Sequence, residues 1–228
     1  MSRTLNVVRM QLINRQTFVW VPLLILSGSF VLSLLIFSLI PTNAPKYSGA
    51  AQSTYWYFLA LGVMAMAYTF PFSQAMSVTR RAFYLGTLLT AAAASGVLAT
   101  IFIIGGFLEQ ATNGWGFNGS YFYIEPLWAN GWWGAWFVWF VIGVLFFVIG
   151  FWSATLYKRF GTFWLTAILI AIGALFVGLI WLIGTLQAWD EVFAWFGAQG
   201  VLGLSAWGLL LTAVLAGISY LTLRRTTP

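Results

Sequence analysis

The stretch FPFSQAMSVTRRAFYLGT, residues 70–87, wedges two adjacent arginines and a few polar residues between two long apolar runs. The setting for that pair follows from composition. Of 228 residues, 61% are hydrophobic and only 6% are charged. So little charge cannot supply the mixed surface that keeps a soluble domain of this size dispersed. The sequence therefore reads as a membrane protein. Its formal net charge of +6 does not point to nucleic acid, because the basic residues never gather into a block. Cysteine and histidine are both absent. Their absence removes disulfides, iron–sulfur clusters, histidine-ligated haem, zinc sites built on those residues, and every His- or Cys-based catalytic arrangement.

A span needs about 20 mostly apolar residues to cross about 30 Å of hydrocarbon. Six runs meet that length, near 18–40, 54–74, 82–108, 133–156, 163–186 and 201–223, leaving outer loops at 41–53, 109–132 and 187–200. Arg3, Arg9 and Arg15 precede the first run, and Arg80 and Arg81 lie between the second and third. Lys158 and Arg159 separate the fourth and fifth, and Arg224 and Arg225 follow the sixth. Nine of the ten basic residues thus fall on one side, with Lys46 alone opposite. The positive-inside bias then places both termini in the cytoplasm and all four acidic residues, Glu109, Glu125, Asp190 and Glu191, outside. The expected fold is all-α, a polytopic membrane protein forming one transmembrane domain over 1–228. A basic pair in the short inner turn at 75–82 is what topology alone would demand, and LYKRFGT, residues 156–162, repeats the device.

The segment before the first run has three arginines spread along a helical stretch and no small-residue cleavage site after it, so it reads as mature sequence. Leu5, Val8 and Leu12 share a face there, flanked by Arg9 and Arg15, while Val7 and Met10 fall off that face. The pattern suits a helix over 1–17 lying in the inner interface, its arginines reaching anionic headgroups. A frayed terminus is the plain alternative. Outside, Trp115, Trp128, Trp132, Trp133 and Trp136 read as an aromatic belt at headgroup level. The segment LQAWDEVFAWFGAQG, residues 186–200, carries Trp189, Asp190, Glu191 and Phe193. It is either a simple connection or a short interfacial or re-entrant helix ending at Gly197 or Gly200, a candidate outer gate. Small residues in the spans, including Gly143 and Gly150, read as packing sites.

No Asp, Glu, Lys, Arg or His lies in the middle of any span, which argues against proton-coupled or charge-moving transport. No G-x-x-x-x-G-K-[ST] loop occurs, and the four carboxylates pair with no nucleophile. The chain is therefore expected not to be an enzyme and to carry no cofactor or metal. Energy for any transport would come from another subunit.

The layout, together with the run Ser77, Val78, Thr79, Arg80, Arg81, Phe83, Tyr84 and Gly86, resembles the permease subunit of a type-2 ABC transporter. In that family the first inner loop follows a pattern like [GS]-V-[ST]-R-[RK]-x-[FY]-[FYL]-x-G. The layout covers nearly the whole chain and the pattern about 17 residues; the chain has neither the large outer domain of longer members nor a fused ATPase. The resemblance implies two such subunits, the same or related chains, side by side in the plasma membrane, with a separate ATPase under each holding ATP and Mg. The turn bearing Arg80 and Arg81 would be the coupling helix, and the segment bearing Arg3, Arg9 and Arg15 an elbow helix along the membrane. In that role Thr79 or Ser77 would cap the third span, and Phe83 and Tyr84 would anchor at the interface. The guanidinium groups would pair with acidic residues of the ATPase. The expected function is export of a hydrophobic or amphipathic compound. From a different class, a non-transporting membrane scaffold or immunity-type binding protein would use the basic turns only to fix topology.

Overall fold

The computed structural model describes residues 3–42 and 44–224, with the side chain of Arg3 outside the described set. The chain is almost wholly helical. Helix α1 spans Arg3–Ile13, and a wide π turn at Gln16–Trp20 leads into α2, Val21–Leu39. Helix α3, Ser53–Met64, runs through a second π turn at Ala65–Thr69 into α4, Phe70–Ala75. Then follow α5, Arg80–Ala111; α6, Gly131–Thr185; and α7, Trp189–Leu223. Five helical stretches are long and apolar enough to cross a membrane: Gln16–Leu39, Ala50–Ala75, Arg80–Ala111, Gly131–Thr185 and Trp189–Leu223.

Both π turns sit where proline interrupts the hydrogen-bond ladder. Pro22 and Pro71 lack the N–H that an uninterrupted ladder would use, so each helix widens just before its proline. At the first, Tyr57 Oη donates to the Thr17 carbonyl at 2.9 Å, satisfying an acceptor beside the break.

Two glycines divide the last two helices. Helix α6 has 55 residues, about 80 Å if straight and more than twice the hydrocarbon thickness of about 30 Å. Gly161, at φ 79° and ψ 179°, breaks it into 131–160 and 162–185. Gly200, at φ 59° and ψ −176°, breaks α7 into 189–199 and 201–223. Only glycine occupies such geometry without steric cost.

The first half of α6 is the hub. It packs against α3, α5 and α7, while α1 lies on α5. The centre is aromatic: Tyr55 stacks on Trp139 with centroids 5.6 Å apart and planes 8° apart, and Phe102 lies 4.7 Å from Trp139. By contrast no residue of 162–185 is buried, and Phe163, Ile170, Val177 and Trp181 are each more than 60% exposed. Apolar surface of that extent belongs in hydrocarbon rather than water.

Candidate functional site

The turn at 76–79 is held by local hydrogen bonds. Helix α4 ends in a Schellman arrangement: the Ser77 N–H donates to the Gln74 carbonyl at 3.0 Å and the Val78 N–H to the Ser73 carbonyl at 3.0 Å. Ser77 therefore takes the left-handed conformation, φ 56°. Gln74 Nε2 closes the loop on the Val78 carbonyl at 3.1 Å. Thr79, extended at φ −66° and ψ 143°, then caps α5, its hydroxyl oxygen accepting from the Ala82 N–H at 3.3 Å. Of the two candidate caps, Thr79 caps α5 and Ser77 terminates α4.

The two arginines separate. Arg80 Nη1 donates to the carbonyls of Arg224 at 2.7 Å and Leu223 at 3.3 Å, so it closes the last turn of α7. A helix C-terminus leaves such carbonyls unpaired and carries partial negative charge, which a guanidinium satisfies on both counts. Arg81 is exposed and makes no such bond. Met76, 60% exposed, shares the outward side of the turn.

Phe83 and Tyr84 do not anchor at an interface, because the phase of α5 turns them into the bundle. Phe83 is fully buried, 5.3 Å from the Phe70 ring, and Tyr84 is 6% exposed, 4.9 Å from the Tyr220 ring. The Tyr84 hydroxyl donates to the Ala216 carbonyl at 2.5 Å, a second tie between α5 and the 201–223 half of α7. Tyr84→Phe is expected to destabilise that tie by about 1 kcal/mol, read as faster amide exchange at 213–220. Exchange unchanged there would mean that the bond carries no weight.

Gly86 has a different duty from the turn. A Cβ there would come within 2.7 Å of Val7 and 3.0 Å of the Thr4 carbonyl, so the glycine is the seat on which α1 rests. Gln11 Nε2 donates to Thr87 Oγ1 at 2.7 Å within the same contact. Helix α1 thus has two apolar faces. Val7, 1% exposed, packs on α5, while Leu5 and Leu12, 47% and 41% exposed, face outward. Arg9 and Arg15 are exposed on α1 and just after it; the side chain of Arg3 lies outside the described residues.

At the opposite end of α5, Glu109 organises a folded cap that sequence reasoning missed. The carboxylate is 2% exposed. It accepts from Trp115 Nε1 at 2.9 Å and from the consecutive N–H groups of Tyr121, Phe122 and Tyr123, each at 3.0 Å. Consecutive N–H groups form a ready anion nest, and this one is filled from within. Tyr121 reaches Ser29 Oγ at 2.6 Å, and burial pushes its phenol pKa above the usual value. Trp128 fits over Gly106, so among the belt tryptophans Trp132 and Trp133 are the exposed ones. A two-residue parallel bridge, β1 (Lys46–Tyr47) with β2 (Gly119–Ser120), joins this cap to the loop between α2 and α3.

Trp189, Asp190, Glu191 and Phe193 are all exposed, Trp189 stacking on Phe193 at 5.9 Å. Asp190 and Glu191 occupy the first turn of α7, where the helix dipole favours acidic groups. Among the described residues, no three ligating side chains come together as a metal site would require. No family model, curated protein or solved structure matches the chain.

Proposed function

We propose that the chain is the membrane-spanning permease subunit of a type-2 ABC transporter, working as a pair with a separate ATPase beneath each copy. On this reading 131–160 and 162–185 are separate spans and 201–223 is the sixth. Residues 189–199 then form an outer interfacial helix, α1 is the elbow, and both termini are cytoplasmic. The substrate is a hydrophobic or amphipathic compound moved outward.

The supporting observation is the build of the inner turn. Four residues, 76–79, join α4 to α5 through a Schellman stop and a threonine cap, and Arg80 fastens the far end of α7 to the start of α5. Pressure on the turn would be passed to two helices with little slack, as a lever requires. Arg81 and Met76 are the groups free to meet the ATPase.

Arg81→Glu is expected to lower substrate-stimulated ATPase activity at least about tenfold, because it sets a charge of the wrong sign into a paired interface. Arg80→Gln leaves that interface and frays the end of α7, read as faster exchange at 220–224. Co-purification in mild detergent without any ATPase, or coupling untouched by Arg81→Glu, would sink the reading. One observation favours the scaffold alternative: Ser77, Thr79, Arg80, Phe83, Tyr84 and Gly86 are all used inside this chain and need no motor to explain them. A scaffold would act unchanged when the ATPase is removed.

A further inference from the structure

The inner ends of 131–160 and 201–223 enclose a cavity of about 470 Å³ lined by Arg159, Ile218, Leu221, Thr222 and Arg224. Two arginines from different helices line one space, and none of the four carboxylate side chains is near them. Glu109 is bound in the cap at the far end of α5, and Glu125 lies in the loop before α6. Asp190 and Glu191 open α7, whose other end carries Arg224. Both guanidinium groups lie against aromatic rings: Arg159 sits 4.6 Å from the Phe160 centroid and Arg224 5.9 Å from the Tyr220 centroid. Aromatic faces hold guanidinium planes without neutralising them.

We infer that this cavity binds the phosphate headgroup of an anionic lipid of the inner leaflet. Two arginines converging on one space present the forked donors that phosphate oxygens accept. Its depth is that of the headgroups. Tyr157 and Trp164, 52% and 57% exposed, bracket Arg159 in sequence, and such rings sit at the membrane–water boundary. Beside the arginines and the buried Thr222, the lining's two apolar residues are open: Ile218 and Leu221 are 43% and 61% exposed. They lead from the arginines onto the uncovered apolar surface, a path for acyl chains that a free phosphate would not need. Arg80 holds the Arg224 carbonyl, so the end of α7 is fixed before the ligand arrives.

The test is native mass spectrometry of the detergent-purified full chain, after exchange into mixed micelles of phosphatidylglycerol and phosphatidylcholine. One phosphatidylglycerol per chain is expected to survive washing, with phosphatidylcholine lost. Each arginine near an anionic headgroup contributes about fivefold in affinity. R159Q/R224Q should therefore weaken retention about thirtyfold, whereas K158Q, which removes a neighbouring basic residue that sits over the Phe70 ring and does not line the cavity, should leave it unchanged. R159K/R224K keeps the charges and should retain the lipid, which separates loss of the site from loss of the fold. Equal retention by R159Q/R224Q, an equal loss in K158Q, or displacement of the lipid by millimolar inorganic phosphate would each overturn the assignment.

Discussion

Replacing Glu109 by alanine is expected to release the folded cap at 112–128 while leaving the bundle beneath it intact. Four donors, the N–H groups of Tyr121, Phe122 and Tyr123 and the indole of Trp115, share this one carboxylate. A buried donor left without an acceptor costs about 1–3 kcal/mol. Four such losses exceed what a surface loop holds in reserve, so the segment opens to water instead of staying folded and dry. Amide exchange at 121–123 should accelerate at least about 100-fold, the equivalent of losing about two such bonds. Because Phe30 of α2 meets Trp115 and Tyr121 at 4.9 and 5.2 Å, the C-terminal half of α2 should loosen with it. Glu109→Gln keeps one acceptor oxygen but turns an NH₂ toward N–H donors, and should give about a tenfold acceleration. Exchange within about threefold of wild type in the alanine variant would show that the cap is held by its aromatic packing instead.

The contrast between this cap and the helices shows what residue types can disclose. Apolar runs long enough to span a bilayer are visible because burial in lipid constrains composition over 20 or so consecutive positions. The basic turns at 156–162 likewise mark where 55 helical residues must break, and Gly161 supplies the break. Glu109, Arg80 and Tyr84 were opaque for a common reason: each bonds to backbone atoms, and every residue carries the same backbone. Nothing in the letters of 121–123 says that three N–H groups will converge, nor in Leu223 and Arg224 that their carbonyls will receive Arg80 from 143 and 144 residues away. Helix α1 was half legible. The Leu5–Val8–Leu12 face stands out by period, but the Val7–Gln11 face acquires its meaning only from Gly86 and Thr87 on α5.

Gly150→Val should be among the most damaging single changes in the bundle, at about 3 kcal/mol or more, because the obstacle it meets is backbone. A Cβ on Gly150 would run into the Leu59 carbonyl of α3, and reciprocally a Cβ on Gly62 of α3 would run into the Phe147 carbonyl of α6. Two glycines, one on each helix, let the main chains touch. In lipid such close approach supplies the packing that the hydrophobic effect no longer provides between helices. Side-chain rotation cannot relieve either clash, so α3 and α6 must separate and give up Tyr55 on Trp139. Gly143 differs in degree: its Cβ would meet Ser95 Oγ at 2.7 Å, which can turn aside, and Ser95 Cβ at 2.9 Å, which needs a small shift of the helices, but no carbonyl stands in its way. Gly143→Ala should cost about 1 kcal/mol. Gly173, with nothing within 4 Å, should gain up to about 1 kcal/mol from alanine through helix propensity alone. Measured by SDS titration or steric trapping, the order of damage is therefore Gly150, then Gly143, then Gly173; an equal effect at Gly150 and Gly173 would refute the contact. On the proposed coupling role the contact would also decide what the turn can move, because α3 continues through α4 into that turn. With α3 clamped to α6 at Gly62 and Gly150, a displacement of the turn would be carried to the hub of the bundle; without the clamp, it would bend the chain at the π turn at Ala65–Thr69 and go no further.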